Sequence, residues 1–316
     1  MNVAAPVFAA LALVLAGPVP GLLARSKWPL QAPRAALVLW QAIMITAVLS
    51  AFGSGLAIAS ELLVPGPDGR PTTSPTREIH ALGLPVWIAY VAVFAATVLV
   101  GARLILASLR VAVRTRRRRA HHRMLVDLLD CTDSPAADSL RTADLRVLDH
   151  AEPIAYCLPG RRSRVVLSEG TFANLDDDEI RAILSHERSH LRARHDLVLE
   201  AFTAVHVAFP RFVRSRSALG AVELLVELLA DDHAVRTTGP RPLARALVAC
   251  AGSSAPAGAL GIGGASTLLR IQRLGDPLAQ SRITVAAYTA AFAIVVVPTV
   301  AVALPWLVEL HRLLRG

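Results

Sequence analysis

Hydrophobic and polar positions divide this chain into two kinds of segment. Four stretches are apolar almost throughout: Val3–Leu23, Ala35–Val64, Leu82–Leu106 and Ile283–Val308. Each exceeds the roughly 18 residues that a membrane-crossing helix needs, so four spans are expected. The first lacks a basic start and a small-residue cleavage site and contains Pro18 and Pro20, which predicts a retained span and not a removable leader. Gly53 and Gly55 in the second are suited to close helix packing in lipid.

Between the third and fourth apolar stretches the pattern becomes amphipathic. Met124–Cys131 reads as a short amphipathic helix. Leu145–Asp149, Ile154–Leu158 and Arg164–Ser168 read as short strands of a meander or hairpin, separated by turn-rich pieces. In Asp176–Asp196, Ile180, Ile183, Leu184 and Leu191 recur at helical spacing, and Asp176 with Glu179 forms a capping box. Leu197–Phe209 is too short to cross a bilayer and predicts a buried or interfacial helix ended by Pro210. Ala221–Arg236 is strongly helical, and Ala251–Ser266 is a Gly/Ala/Ser-rich linker ahead of Thr267–Leu274, where Arg270 and Arg273 alternate with leucines. The expected architecture is mainly α: a membrane unit with three spans (1–109), an α+β unit with a small sheet (110–282), and a fourth span with a short tail (283–316).

Composition agrees with membrane residence, with 54% hydrophobic residues and a mean hydropathy of +0.50 over 316 residues. The net charge of +9 gathers in Arg110–Arg123, where Arg114 and Arg116 to Arg119 follow the third span directly. Beside a span such a run reads first as the positive-inside signal; nucleic-acid binding rests on this run alone, without interleaved aromatics, and is not expected. With Arg25, Lys27 and Arg34 between spans one and two, the run predicts both termini outside the cell membrane and Arg110–Arg282 in the cytoplasm. Cys131, Cys157 and Cys250 have no C-x-x-C spacing and are expected to be reduced and buried.

The chemistry is concentrated in His186-Glu187-Arg188-Ser189-His190. On a helix, residues four apart lie one above the other, so both imidazoles can reach one point, while Glu187 is rotated from His186 by roughly 100° and flanks it. Two neutral nitrogen ligands and a carboxylate to take a proton from water are what a zinc hydrolase requires. Downstream, Glu223, Glu227 and Asp231 fall on one face of a leucine-rich helix. Such a row repels itself unless a cation compensates, as a metal would; the alternative is a solvated acidic stripe. A glutamate ligand followed one turn later by Asp231 would let the aspartate accept the free N–H of a ligand histidine.

H-E-x-x-H at His186–His190 with E-x-x-x-D at Glu227–Asp231 resembles the gluzincin pattern of HtpX-like and CAAX-processing membrane peptidases. The closer resemblance is to the BlaR/MecR-type integral-membrane metallopeptidases, through AYCLPGRRSRVVLSEG, HERSHLRARHD and VELLADDHA and through three spans before these pieces and one after. The resemblance implies a gluzincin-type domain between spans three and four, zinc on His186, His190 and Glu227, Glu187 as catalytic base and Asp231 supporting a ligand. Members of the sensing kind cleave a cytoplasmic repressor after an outer domain binds a β-lactam; here the tail Glu309 to Gly316 is too short to be that domain. The expected function is a zinc metalloendopeptidase that cuts a cytoplasmic protein, a repressor-type regulator being one candidate. The alternative is a non-catalytic docking protein that keeps the peptidase scaffold.

Overall fold

The computed structural model describes residues 3–63, 74–131, 142–210, 215–251, 260–261, 266–275 and 281–315. Most of the loop Pro65–Ala81 and of the linker Ala251–Ser266 lies outside these. Among the described residues, four helical segments are long and apolar enough to cross a membrane.

The first apolar segment is two helices, α1 (Ala4–Ala16) and α2 (Pro18–Arg25). Pro18 cannot donate into the turn before it, so the chain breaks at Gly17, whose N–H closes α1 on Leu13 O. A short turn at Trp28–Leu30 leads to α3 (Pro33–Ala59). Gly55 of α3 backs onto Thr97, and a Cβ there would overlap that side chain. After α4 (Pro75–Leu82), α5 runs unbroken from Leu84 to Leu128. Met124–Cys131 is therefore not a separate helix: no glycine or proline follows Gly101 until Pro135, so the third apolar helix continues through the arginine run.

The strands are β1 (Leu145–Leu148), β2 (Ala155–Leu158) and β3 (Arg164–Ser168). β2 and β3 form an antiparallel hairpin, but β1 pairs parallel with β3, so the sheet is not a meander. A two-residue β4 (Leu260–Gly261), inside the expected linker, pairs antiparallel with β2 at Tyr156 and Cys157 and completes the order β1-β3-β2-β4. The edge of β2 is thus already paired there, and the outer edge of β1 meets Asp130 through a bridge at Leu148. Both outer edges of the sheet are thus met, at these places, by the chain itself.

Then come α6 (Glu169–Asn174), α7 (Asp177–Ala193), α8 (His195–Ala208), α9 (Ser215–Thr238) and α10 (Pro240–Ala249). α7 begins at the expected capping box, in which Asp176 Oδ1 accepts from Glu179 N and Glu179 Oε2 accepts from Asp176 N. Its apolar face, Ile180, Ile183 and Leu184, packs with Val165 and Leu167 of the sheet and Leu243 and Leu247 of α10. Each large side chain so buried contributes about 1.5–3 kcal/mol. α9 belongs to two cores. Val222, Leu225 and Leu228 pack with Trp40 and Ile43 of α3 and Phe202 of α8, whereas Ala234 joins the core of α7 and the sheet.

The chain ends in α11 (Thr267–Leu274), α12 (Ser281–Pro298) and α13 (Leu304–Arg315), the last two joined through a π-helical stretch at Thr299–Ala303. The widening has a cause in Pro298, which cannot bond the carbonyl of Ile294 one turn back. Thr46 of α3 donates to that carbonyl at 3.4 Å, a long bond that partners the freed group where water is scarce.

Candidate metal centre

α7 carries His186, Glu187 and His190 on its buried side; all three are fully enclosed. α9 crosses behind and brings Glu227 to them. His186 Nε2 and His190 Nε2 are 3.2 Å apart, and each lies 3.4 Å from one carboxylate oxygen of Glu227. An ion held tetrahedrally by N and O donors at about 2.0–2.1 Å separates its donors by about 3.3 Å. The separation of the two histidines and the approach of each to Glu227 are close to that figure, with His186 facing Oε2 and His190 facing Oε1, and these residues form the one group among the described residues with the spacing of a metal site. Glu223, one turn earlier, is exposed and takes no part.

Polar atoms left without a partner point the same way. Glu187 is fully buried, yet neither of its oxygens accepts a hydrogen bond of ordinary geometry. Orphaned buried carboxylate oxygens are costly unless a cation or water serves them. Burial, with a smaller contribution from Glu227, pushes the Glu187 carboxyl up to about 7 against the pull of His186. The Cys157 thiol of β2 faces it and is itself driven well above its ordinary value, by burial first and by Glu187 second.

Behind the ligands lies a supporting layer. Asp231 Oδ1 is 3.0 Å from His186 Nδ1, the placement expected of a carboxylate that fixes a ligand histidine. Asp231 is in turn gripped by Arg270 of α11, with Nε on Oδ2 at 2.8 Å and Nη2 on Oδ1 at 2.6 Å. Arg270 Nη1 also reaches Glu227 Oε2 at 3.0 Å, and the arginine is 2% exposed. Burial alone would raise both acids, but Arg270 and the histidines outweigh it. Asp231 falls well below the carboxylate range and Glu227 to about 2. The two histidines diverge. Burial pulls His190 down to about 3, whereas on His186 the bonds to Asp231 and Glu227 overcome burial and lift it to about 9. A metal-free site therefore keeps a proton on His186.

Two supporting residues escape the motif reading. Arg270 lies beyond the linker, and its only sequence signal is the three-residue spacing from Arg273, which binds Asp232 at 2.7 Å and Leu30 O at 2.6 Å. Arg119, counted above in the arginine run after the third span, is buried and meets both Asp196 and Glu200 at 2.9 Å.

Two histidines and a glutamate converging beside an unpaired buried carboxylate form the donor set of a metallopeptidase. Comparison with known families agrees: residues 116–252 match the model of Peptidase family M48, which supports a metallopeptidase of gluzincin type. The matched stretch holds the three candidate ligands, Glu187 and Asp231, and leaves Arg270 outside. No curated protein and no solved structure matches the chain.

Proposed function

We propose that the protein is a membrane-bound zinc metalloendopeptidase of the BlaR/MecR kind, cutting a cytoplasmic protein such as a transcriptional repressor. The observation that carries this reading is the convergence of His186 Nε2, His190 Nε2 and the Glu227 carboxylate at 3.2–3.4 Å, with a buried, unpaired Glu187 beside them. His186, His190 and Glu227 would hold the ion. Bound zinc supplies a Lewis acid that polarises a carbonyl and makes water a nucleophile near neutral pH. The rest is done by side chains. Glu187 accepts the proton of the attacking water and passes it to the leaving amine, and a carboxyl lifted towards about 7 can both take and release a proton near neutrality. Asp231 keeps His186 oriented with Nε2 forward. The arginines left exposed after α5 begins its run, Arg114 and Arg116 to Arg118, support placing this segment on the cytoplasmic side of the cell membrane.

The test is detergent-purified protein assayed for bound zinc and for cleavage of candidate repressors, beside Glu187→Gln. The variant is expected to hold zinc normally and to lose about 10²–10⁴-fold or more in turnover. Full cleavage by a zinc-loaded Glu187→Gln protein would overturn the mechanism and favour the docking-protein reading.

A further inference from the structure

His190 turns Nε2 towards Glu227 and Nδ1 away from it, and what meets Nδ1 is another imidazole. His195 Nδ1 lies 3.0 Å from His190 Nδ1, with the ring planes at 84°. Two ring nitrogens share a hydrogen bond only when one carries the proton and the other a lone pair. A ligand histidine needs its lone pair on Nε2, so its proton sits on Nδ1 and it is the donor. His195 must then accept on Nδ1, carry its own proton on Nε2, and be neutral. Burial favours that state, since His195 is only 4% exposed. The two ligand histidines are thus backed differently, His186 by a carboxylate and His190 by a neutral ring.

A continuous helix would not allow this contact. Residues five apart on one helix differ by about 140°, which would turn residue 195 away from His190. The chain instead breaks at Arg194, which takes φ 50° and ψ 44° and is the one non-glycine residue with positive φ among the described residues. α8 restarts at once and folds His195 back beneath His190. It is held there at both ends by α5: Arg119 pairs with Asp196 and Glu200, and Arg103 Nε donates to Ala208 O at 2.6 Å. A left-handed conformation at a non-glycine residue costs about 1–2 kcal/mol and persists where the surroundings enforce it.

We propose that His195 is a positioning residue of the metal centre: it fixes His190 in the Nδ1–H tautomer with Nε2 aimed at the ion, and the Arg119–Asp196–Glu200 ion pairs hold it in place. This rests on the metallopeptidase reading above. The experiment uses the full chain in detergent and reads zinc affinity by competition with a chromogenic chelator, together with the visible spectrum of the cobalt-loaded protein. In His195→Asn the amide oxygen falls near the lost Nδ1 and keeps an acceptor; in His195→Gln the amide falls near Nε2 and does not. His195→Gln should weaken zinc binding about 10–100-fold and alter the cobalt spectrum, with His195→Asn staying within about threefold of the parent. A role in packing alone predicts the reverse order, since glutamine fills the space better. Gln equal to or better than Asn therefore overturns the inference. Should either variant fail to show a cooperative metal-free melt, Asp196→Asn, which loosens the anchor without touching the ring, takes its place; it should weaken zinc binding, and unchanged affinity overturns the inference. A parent protein that binds no zinc would instead remove the metallopeptidase reading itself.

Discussion

Replacing Arg270 by methionine tests how the centre is held together when no metal is present. The substitution keeps most of the side-chain volume and removes the guanidinium from Asp231, which is 1% exposed, and from Glu227, whose side chain is 15% exposed. Removing one partner of a buried ion pair typically costs about 3–5 kcal/mol, because the other charge stays buried without compensation. Here two acids lose the same cation, so the upper part of that range is expected. At about 2.1 cal/mol/K per residue, 316 residues lose about 1.5 °C of melting temperature per kcal/mol, so the metal-free variant should melt roughly 6–8 °C below the parent. Zinc should reverse part of the loss, since it supplies positive charge to Glu227 directly and to Asp231 through His186. The rise in melting temperature on adding zinc should therefore be larger in Arg270→Met than in the parent. Arg270→Lys keeps the charge but cannot engage both oxygens of Asp231 in a fork, and should fall between the two. The assay is thermal unfolding of detergent-purified protein in chelator and in saturating zinc. A metal-free Arg270→Met protein melting within about 2 °C of the parent would refute the reasoning.

Three further outcomes follow from the same geometry. Glu227→Gln should lose most bound metal and Glu223→Gln should keep it, because Glu223 is exposed one turn from the cluster; metal analysis of the purified variants checks this. His186 holds its proton to about 9 in the metal-free protein, so zinc must displace it, and affinity should rise by up to about tenfold per pH unit from 7 to 9 and then level off. The metal-free fold should respond with the opposite sign. A histidine with a raised pKa contributes stability that is full below about 6.5 and is lost as pH rises through about 9, which melting temperatures in chelator will record. Finally, a cysteine introduced at Ser163, in the turn between β2 and β3, should resist impermeant reagents in intact cells; labelling from outside would invert the proposed topology.

How far the sequence speaks depends on how local the cause is. α7 was readable because its cap, its apolar spacing and both histidines lie within one helix and obey one period. Glu227 and Asp231 were readable as an i, i+4 pair on a helix that needs a cation. His195 was not, although it stands five residues after His190 in plain view, because its contact depends on a left-handed turn at Arg194, and arginine gives no signal for that conformation. β4 was not, because Leu260 and Gly261 in a Gly/Ala-rich tract have little strand preference of their own; what makes them a strand is the free edge of β2. Arg119 looked like its neighbours in the arginine run until α8 packed against its side of α5. The length of α5, by contrast, was there to be read in the lack of any breaker after Gly101.

The supports of the centre share a direction. His190 is backed by His195, whose helix is fastened to α5 by Arg119 and Arg103, the continuation of the third apolar helix. Glu227 and Asp231 are gripped by Arg270 of α11, which lies ahead of the fourth, and Arg273 on the same helix also binds Asp232 and the carbonyl of Leu30 between the first and second. α9, which carries the third donor, buries one end of its apolar face against α3. His190 and Glu227 are thus held by helices, α8 and α9, that pack directly on α5 and α3. A shift of α5 would reach His190 through Arg119, Asp196 and His195, and a shift of α3 would reach Glu227 through α9 itself. An arrangement that needed only a stable site could have placed these partners within the sheet and α7, where every contact is local.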